Sequence, residues 1–207
     1  SSMAVKEKLK GIYAITPEKF DEDKLFADIS TCLSGGITVF QIRYKQKISR
    51  SKLEYFKKIV DLIHSKEAIC FFNDSPKIAQ IIAADGVHLG QKDDVHNQVR
   101  KEYPNLLTGI TCKDSLQLAK IAVDEKADYV SFGAMHRSST KKNAREISQA
   151  ELQKIIKFKS KPKAIIGGIN LDTYESNISN NFDMIAISDG IFSSEDLPSF
   201  LNMLNKS

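Results

Sequence analysis

Short apolar runs alternate along this chain with stretches whose apolar residues recur at helical spacing. Gly11-Ile12-Tyr13-Ala14-Ile15-Thr16-Pro17 is a β-rich run stopped by proline. Asp23 to Leu33 follows, with Leu25, Phe26, Ile29 and Leu33 on one helical face and Gly35-Gly36 closing it. Ile37 to Ile42 is the second strand, and Ser51 to Ile63 is an amphipathic helix with Leu53, Phe56, Ile59, Val60 and Ile63 on one face. The strand Ala68 to Phe72, a helix over 76–83 and the strand Gly86 to Leu89 come next, then a helix near 95–102. Leu106 to Thr111 is strand, Ser115 to Val123 helix and Asp128 to Phe132 strand. A polar loop from Gly133 to Glu146 precedes a helix from Gln149 to Ile156 and the strand Ala164-Ile165-Ile166. A helix near 171–177, the strand Met184 to Ser188 and a helix around 198–204 complete the pattern.

Eight strand-like runs, each followed by a helical one, predict a parallel sheet, and eight units allow it to close into a (β/α)8 barrel. An open doubly wound sheet competes, but no GxGxxG follows the first strand. No linker divides the chain, so residues 3–207 are expected to form one domain, with no repeat beyond the β-then-α alternation. Ser1-Ser2 before Met3 resembles an expression scar.

Composition narrows the partners. Thirty basic and 26 acidic residues give a net charge of +4, mildly basic, with the lysines scattered rather than striped. No aromatic interleaving of the kind that stacks single-stranded bases occurs, and the lysines from Lys157 to Lys163 read as a solvated helix end. Nucleic acid is therefore not an expected partner. Nor is a membrane, because no apolar stretch approaches the length of a span. Cys32, Cys70 and Cys112 lack metal-ligand spacing and fit a reducing, cytoplasmic setting. Homodimerisation stays open.

The candidate chemistry sits where strands end. In parallel barrels the C-terminal strand ends face the ligand. Strand two offers Gln41, Arg43 and Lys45; strands three and four offer Asn73, Asp74, Gln91 and Asp93. Thr111 follows strand five, and Ser138, Ser139, Thr140, Lys141 and Lys142 follow strand six. Strand seven ends in Gly167-Gly168 and strand eight in Ile187-Ser188. Asp74 and Asp93 would suit a Mg²⁺ completed by phosphates and water; the alternative is that they cap the helices that follow. Arg43 and Lys45 alternate along a strand and so point the same way, suited to a polyanion. Gly167-Gly168 would let backbone amides approach a second phosphate, or would simply turn the chain into a helix. Two phosphate-handling regions imply small phosphorylated substrates. His64, His88, His96 and His136 form no local catalytic arrangement, and His88 reads as a hydrogen-bonded core histidine.

These motifs resemble those of the thiamine phosphate synthase (thiamine-phosphate pyrophosphorylase) family. The matching stretches are Tyr13-Ala14-Ile15-Thr16, Gly35-Gly36-Ile37-Thr38, Gln41-Ile42-Arg43-Tyr44-Lys45, Asn73-Asp74 and 84–93, ADGVHLGQKD. Gly109-Ile110-Thr111, Thr140-Lys141-Lys142, Gly167-Gly168-Ile169 and Ile187-Ser188 continue the series in family order. The resemblance implies a (β/α)8 barrel transferase that joins 4-amino-2-methyl-5-hydroxymethylpyrimidine diphosphate to 4-methyl-5-(2-hydroxyethyl)thiazole phosphate by a dissociative, Mg²⁺-assisted route. By the same resemblance Asp74 and Asp93 hold Mg²⁺, and Arg43, Lys45 and Lys141 are catalytic. Gln41, Arg43, Lys45, Asn73, Thr111 and Lys141 would contact the pyrimidine diphosphate; Ser138, Thr140, Gly168, Ile187 and Ser188 would contact the thiazole phosphate.

Four positions depart from the family pattern: Ala134 replaces a proline, Ser138 a threonine, Lys113 a histidine and Asp189 a small residue. They fall mainly on the acceptor side. A thiazole tautomerase on the same barrel would want the histidine that Lys113 replaces. A non-catalytic ligand sensor would have no need of both metal carboxylates. The polar segment from His136 to Ala144 reads as a lid.

Overall fold

A computed structural model describes residues 2–92, 95–136, 145–169 and 180–206. Eight parallel strands close into a barrel in sequence order: β1 (Gly11–Ile15), β2 (Val39–Ile42), β3 (Ile69–Asn73), β4 (Gly86–Leu89), β5 (Leu107–Thr111), β6 (Tyr129–Phe132), β7 (Lys163–Ile165) and β8 (Met184–Ile187). β8 pairs with β1 through Gly11↔Met184 to Ala14↔Ile187, which removes every free edge. The helices are α1 (Ser2–Lys8), α2 (Glu22–Ser34), α3 (Arg50–Ser65), α4 (Pro76–Ile81), α5 (Val95–Glu102), α6 (Leu116–Asp124), α7 (Gln149–Ile156), α8 (Asp189–Phe192) and α9 (Leu197–Lys206). The barrel expectation holds. The helix expected near 171–177 lies outside the described residues, and α1 and the four-residue α8 carry too little periodicity to have been read. No helix among the described residues is long and apolar enough to cross a membrane.

Alternation along each strand separates two cores. Phe40, Ile42, Cys70, Phe72, Val87, Val130, Phe132 and Ile187 face outward and pack with Ile29, Phe56, Ile59 and other helix residues. Tyr13, Ile15, Val39, Ile69, Phe71, Tyr129, Ala164, Met184 and Ala186 face inward and fill the barrel. Burial pushes the Cys70 thiol far above its ordinary pKa, so it behaves as a small apolar group.

Helix entry follows local chemistry. Asp21, Ser49, Ser75, Ser115 and Ser148 each accept from a first-turn N–H, and Ser148 with Glu151 completes a capping box. Helix exit uses left-handed residues, and only one of them is glycine: Gly36, Glu67, Ala83 and Lys126 all have positive φ.

A short repeat marks the opposite rim, contrary to the expectation of none. Asp85, Asp128 and Asp183 stand one residue before β4, β6 and β8. Their carboxylates accept from the backbone N–H groups of Cys70, Thr108 and Lys163 at 2.8, 2.8 and 2.9 Å. Each Asp also donates its own N–H to the carbonyl of that same residue. Three of the four alternate strand junctions, β3–β4, β5–β6 and β7–β8, are thus pinned at their N-terminal ends. The solvated-lysine reading fails at one position: Lys163 is 2% exposed. Its Nζ donates to the carbonyls of Ile155, Ile156 and Phe158 at 2.7–2.9 Å, so it satisfies the orphan C-terminal carbonyls of α7.

Candidate active site

The C-terminal rim gathers the polar strand ends. Gln41 points into the barrel beside Val39 and is 2% exposed, while Asn73 ends β3 and is 8% exposed. Arg43 and Lys45 lie beyond β2 rather than on it, which corrects the expectation that they alternate along a strand. What orients them is ion pairing. Arg43 donates through NH1 to Glu18 Oε1 at 2.9 Å, and Lys45 Nζ binds Asp74 Oδ2 across the β2–β3 boundary. Arg43 is further fixed by its backbone N–H, which donates to the buried Thr16 hydroxyl at 2.9 Å.

Asp74 is not a helix cap. Ser75 caps α4, its hydroxyl accepting from Ile78 N at 3.1 Å, with Pro76 in the first turn. Asp74 sits at φ 72° while its N–H donates to His88 O at 2.8 Å, so its half-exposed carboxylate is turned to the barrel mouth. Non-glycine residues at such φ cluster at functional sites because the surroundings must hold them there. A hard oxygen donor beside cations fits a Mg²⁺ ion, which takes one or two carboxylates and completes its shell with phosphates and water. Among the described residues no group of three or more His, Cys, Asp or Glu forms a cage. The other expected metal ligand, Asp93, lies outside the described residues, as do Ser138, Thr140 and Lys141 and most of the segment read as a lid.

On the far side of the mouth, Gly167 and Gly168 follow β7 with φ of 118° and 59°. A Cβ on Gly167 would come within 2.8 Å of Ala134 and Met135 backbone atoms, so only glycine lets these two loops touch. Ile187 ends β8 with its side chain buried in the helix-facing core, leaving only its backbone for a ligand; Ser188 is half-buried next to it.

Beneath the mouth runs a polar chain that the sequence did not disclose. Asn73 Nδ2 donates to Gln41 Oε1 at 3.2 Å and Gln41 Nε2 to the Tyr13 phenol at 2.9 Å. The Tyr13 and Tyr129 oxygens lie 2.6 Å apart. Tyr129 is also 2.6 Å from His88 Nδ1, and His88 Nε2 is 2.8 Å from Thr111 Oγ1. Burial pushes both phenols well above their ordinary pKa, so both stay neutral. Tyr13 and Tyr129 read in sequence as ordinary members of apolar strands; the available signal was Gly109, whose missing side chain makes room for the Tyr129 ring.

A parallel barrel with cations, a strained carboxylate and glycine-lined backbone on its C-terminal rim defines a phosphate-handling barrel enzyme. Comparison with known proteins narrows this class. Residues 12–191 match the family described as thiamine monophosphate synthase. The chain is 36% identical over 187 residues to a thiamine-phosphate synthase of Pelagibacter ubique, covering 90% of each protein. It is 32% identical to one from Methanococcus maripaludis, covering 94% of this chain and 92% of that one. The solved thiamine phosphate pyrophosphorylase of Pyrococcus furiosus superposes with a TM-score of 0.84 at 30% identity, over 98% of this chain and 96% of that one. The chain belongs to the thiamine monophosphate synthase family, a family of transferases.

Proposed function

We propose that this chain condenses 4-amino-2-methyl-5-hydroxymethylpyrimidine diphosphate with 4-methyl-5-(2-hydroxyethyl)thiazole phosphate, giving thiamine phosphate and pyrophosphate. Family membership supports the activity. The observation that carries the assignment of ends is the juxtaposition of Arg43, Lys45, Asn73 and Asp74 at the adjacent ends of β2 and β3. Cations on a loop beside an amide and a carboxylate suit a diphosphate that is leaving. In this reading the bond between the pyrimidine methylene carbon and the diphosphate oxygen breaks first, and its electron pair leaves on the diphosphate. The thiazole nitrogen then donates its lone pair to the methylene cation, forming the new C–N bond. Arg43 and Lys45 stabilise charge on the departing group, with Lys141 from the segment after β6. Asp74 and Asp93 would hold Mg²⁺, which when bound supplies further neutralisation of the diphosphate. Gly168, Ser188 and the backbone of Ile187 would seat the thiazole phosphate, with Ser138 and Thr140 as further contacts by family resemblance. A tautomerase reading has no imidazole after β5, where Lys113 stands at φ 52°.

Incubating the chain with both phosphorylated substrates and Mg²⁺ should produce thiamine phosphate and pyrophosphate in equal amounts; no product would refute the proposal. Asp74→Asn keeps a residue type that tolerates positive φ. It should retain the circular dichroism of the parent while losing most Mg²⁺-dependent turnover. Turnover close to the parent would remove Asp74 from the metal site.

A further inference from the structure

The direction of the buried hydrogen-bond chain can be worked out from its ends. Gln41 accepts from Asn73 through Oε1 and donates through Nε2 to Tyr13. The Tyr13 phenol, having accepted, has its proton left for Tyr129 at 2.6 Å. Tyr129 then gives its own proton to His88 Nδ1, also at 2.6 Å. An imidazole that accepts at Nδ1 is neutral only with its proton on Nε2, and that N–H meets Thr111 Oγ1 at 2.8 Å. Turning Gln41 alone would set its amide N–H against that of Asn73. Turning both would reverse the chain, but would replace the unpartnered buried Asn73 Oδ1 by an unpartnered buried N–H. Orphaned donors are the rarer and costlier of the two.

The ring positions reinforce this order. Tyr129 packs edge-on against Phe71 and Tyr13 at 5.0 and 5.6 Å and stacks on His88 at 5.6 Å, with no exposed surface. Its phenol has no freedom to seek another acceptor. Thr111, at the end of β5, is half-buried at the mouth.

We propose that His88 is a positioning residue. Held by Tyr129 as the neutral Nε2–H tautomer, it donates to Thr111 Oγ1 and so reserves the Thr111 hydroxyl proton for an acceptor on the substrate. This rests on the pyrimidine reading above, in which a ring nitrogen is the natural acceptor. Thr111 would touch the substrate; His88 acts only through it.

The tautomer can be read without substrate or variant. In the ligand-free protein labelled with ¹⁵N-histidine, two-dimensional NMR should show His88 neutral with Nε2 protonated and Nδ1 bare. A proton on Nδ1 instead means that the chain runs the other way and overturns the proposal, whatever the protein catalyses. The second arm uses steady-state kinetics with the pyrimidine diphosphate. Thr111→Val should raise KM roughly three- to tenfold, the worth of one hydrogen bond. His88→Phe should do the same, and the double variant should be no worse than Thr111→Val alone. His88→Gln, which keeps a donor near the Nε2 position, should recover most of the KM. Multiplying effects in the double variant would give His88 a merely structural role and end the proposal. Absence of turnover in the parent would sink the functional reading while leaving the tautomer result intact.

Discussion

Gly109→Ala tests whether the buried chain depends on space reserved for Tyr129. A Cβ built on Gly109 lands 2.0 Å from Tyr129 Cζ, 2.1 Å from Cε1 and 2.5 Å from the phenol oxygen. Ordinary carbon contacts begin near ~3.5 Å, so the ring would have to retreat by roughly 1.5 Å. It has no route. Its oxygen is held at 2.6 Å by both Tyr13 and His88, and Phe71 lies at a ring distance of 5.0 Å. Overpacking of this kind costs about 1–3 kcal/mol, and stranding the phenol from a partner adds about 1–3 kcal/mol. Replacing glycine lowers the entropy of the unfolded chain, a gain of about 0.4–1 kcal/mol that is too small to reverse the sign. The expected net loss is about 3 kcal/mol, measured by urea unfolding. In a Tyr129→Ala background the clash is gone, and the same Gly109→Ala change should cost less than about 1 kcal/mol. A Gly109→Ala protein within about 0.5 kcal/mol of the parent would refute the reasoning, because that is the scatter of an ordinary surface change.

Two further outcomes are expected. Arg43→Ala should weaken the pyrimidine diphosphate far more than the thiazole phosphate in separate calorimetric titrations, because in the proposed site the guanidinium serves only the leaving-group side; equal losses would collapse the two subsites into one. Burial and the neighbouring Lys159 lower the Lys163 pKa to about 8 from an unfolded value of 10.5. The cost of its charge is therefore fully present below pH 8 and relieved as pH rises to 10.5. The parent should gain on Lys163→Met by at most about 3 kcal/mol across that window, and parallel stability curves would contradict it.

What was legible in the sequence, and what was not, divides by the range of the interaction. Gln41, Asn73 and Thr111 were visible because each is a polar residue at or one short of the end of an apolar run, and the barrel brings such ends together by its topology. The helix exits at Glu67, Ala83 and Lys126 were invisible as left-handed turns, since no glycine marks them and each must be held at positive φ by its surroundings. Lys163 read as one more lysine in a solvated run because nothing local reveals that β7 turns its ammonium onto the last carbonyls of α7. Tyr13 and Tyr129 are 116 positions apart, and each alone satisfies the period of a buried strand; only closure of the barrel makes them a hydrogen-bonded pair.

The same distinction governs the charged rim. The sequence supplied Arg43, Lys45 and Asp74 as separate charges, whereas the folded chain pairs Arg43 with Glu18 and Lys45 with Asp74. Both pairs are partly exposed, so each holds its geometry at little net energy, about 0–1 kcal/mol. In the proposed reaction an arriving diphosphate would therefore take both cations from their carboxylate partners at small cost. In that reaction Lys45 would turn to the phosphates and leave the Asp74 carboxylate beside them, free for the proposed Mg²⁺. Because the two pairs already hold Arg43 and Lys45 at the rim, in the proposed reaction the charge growing on the leaving group would meet donors that need only exchange partners.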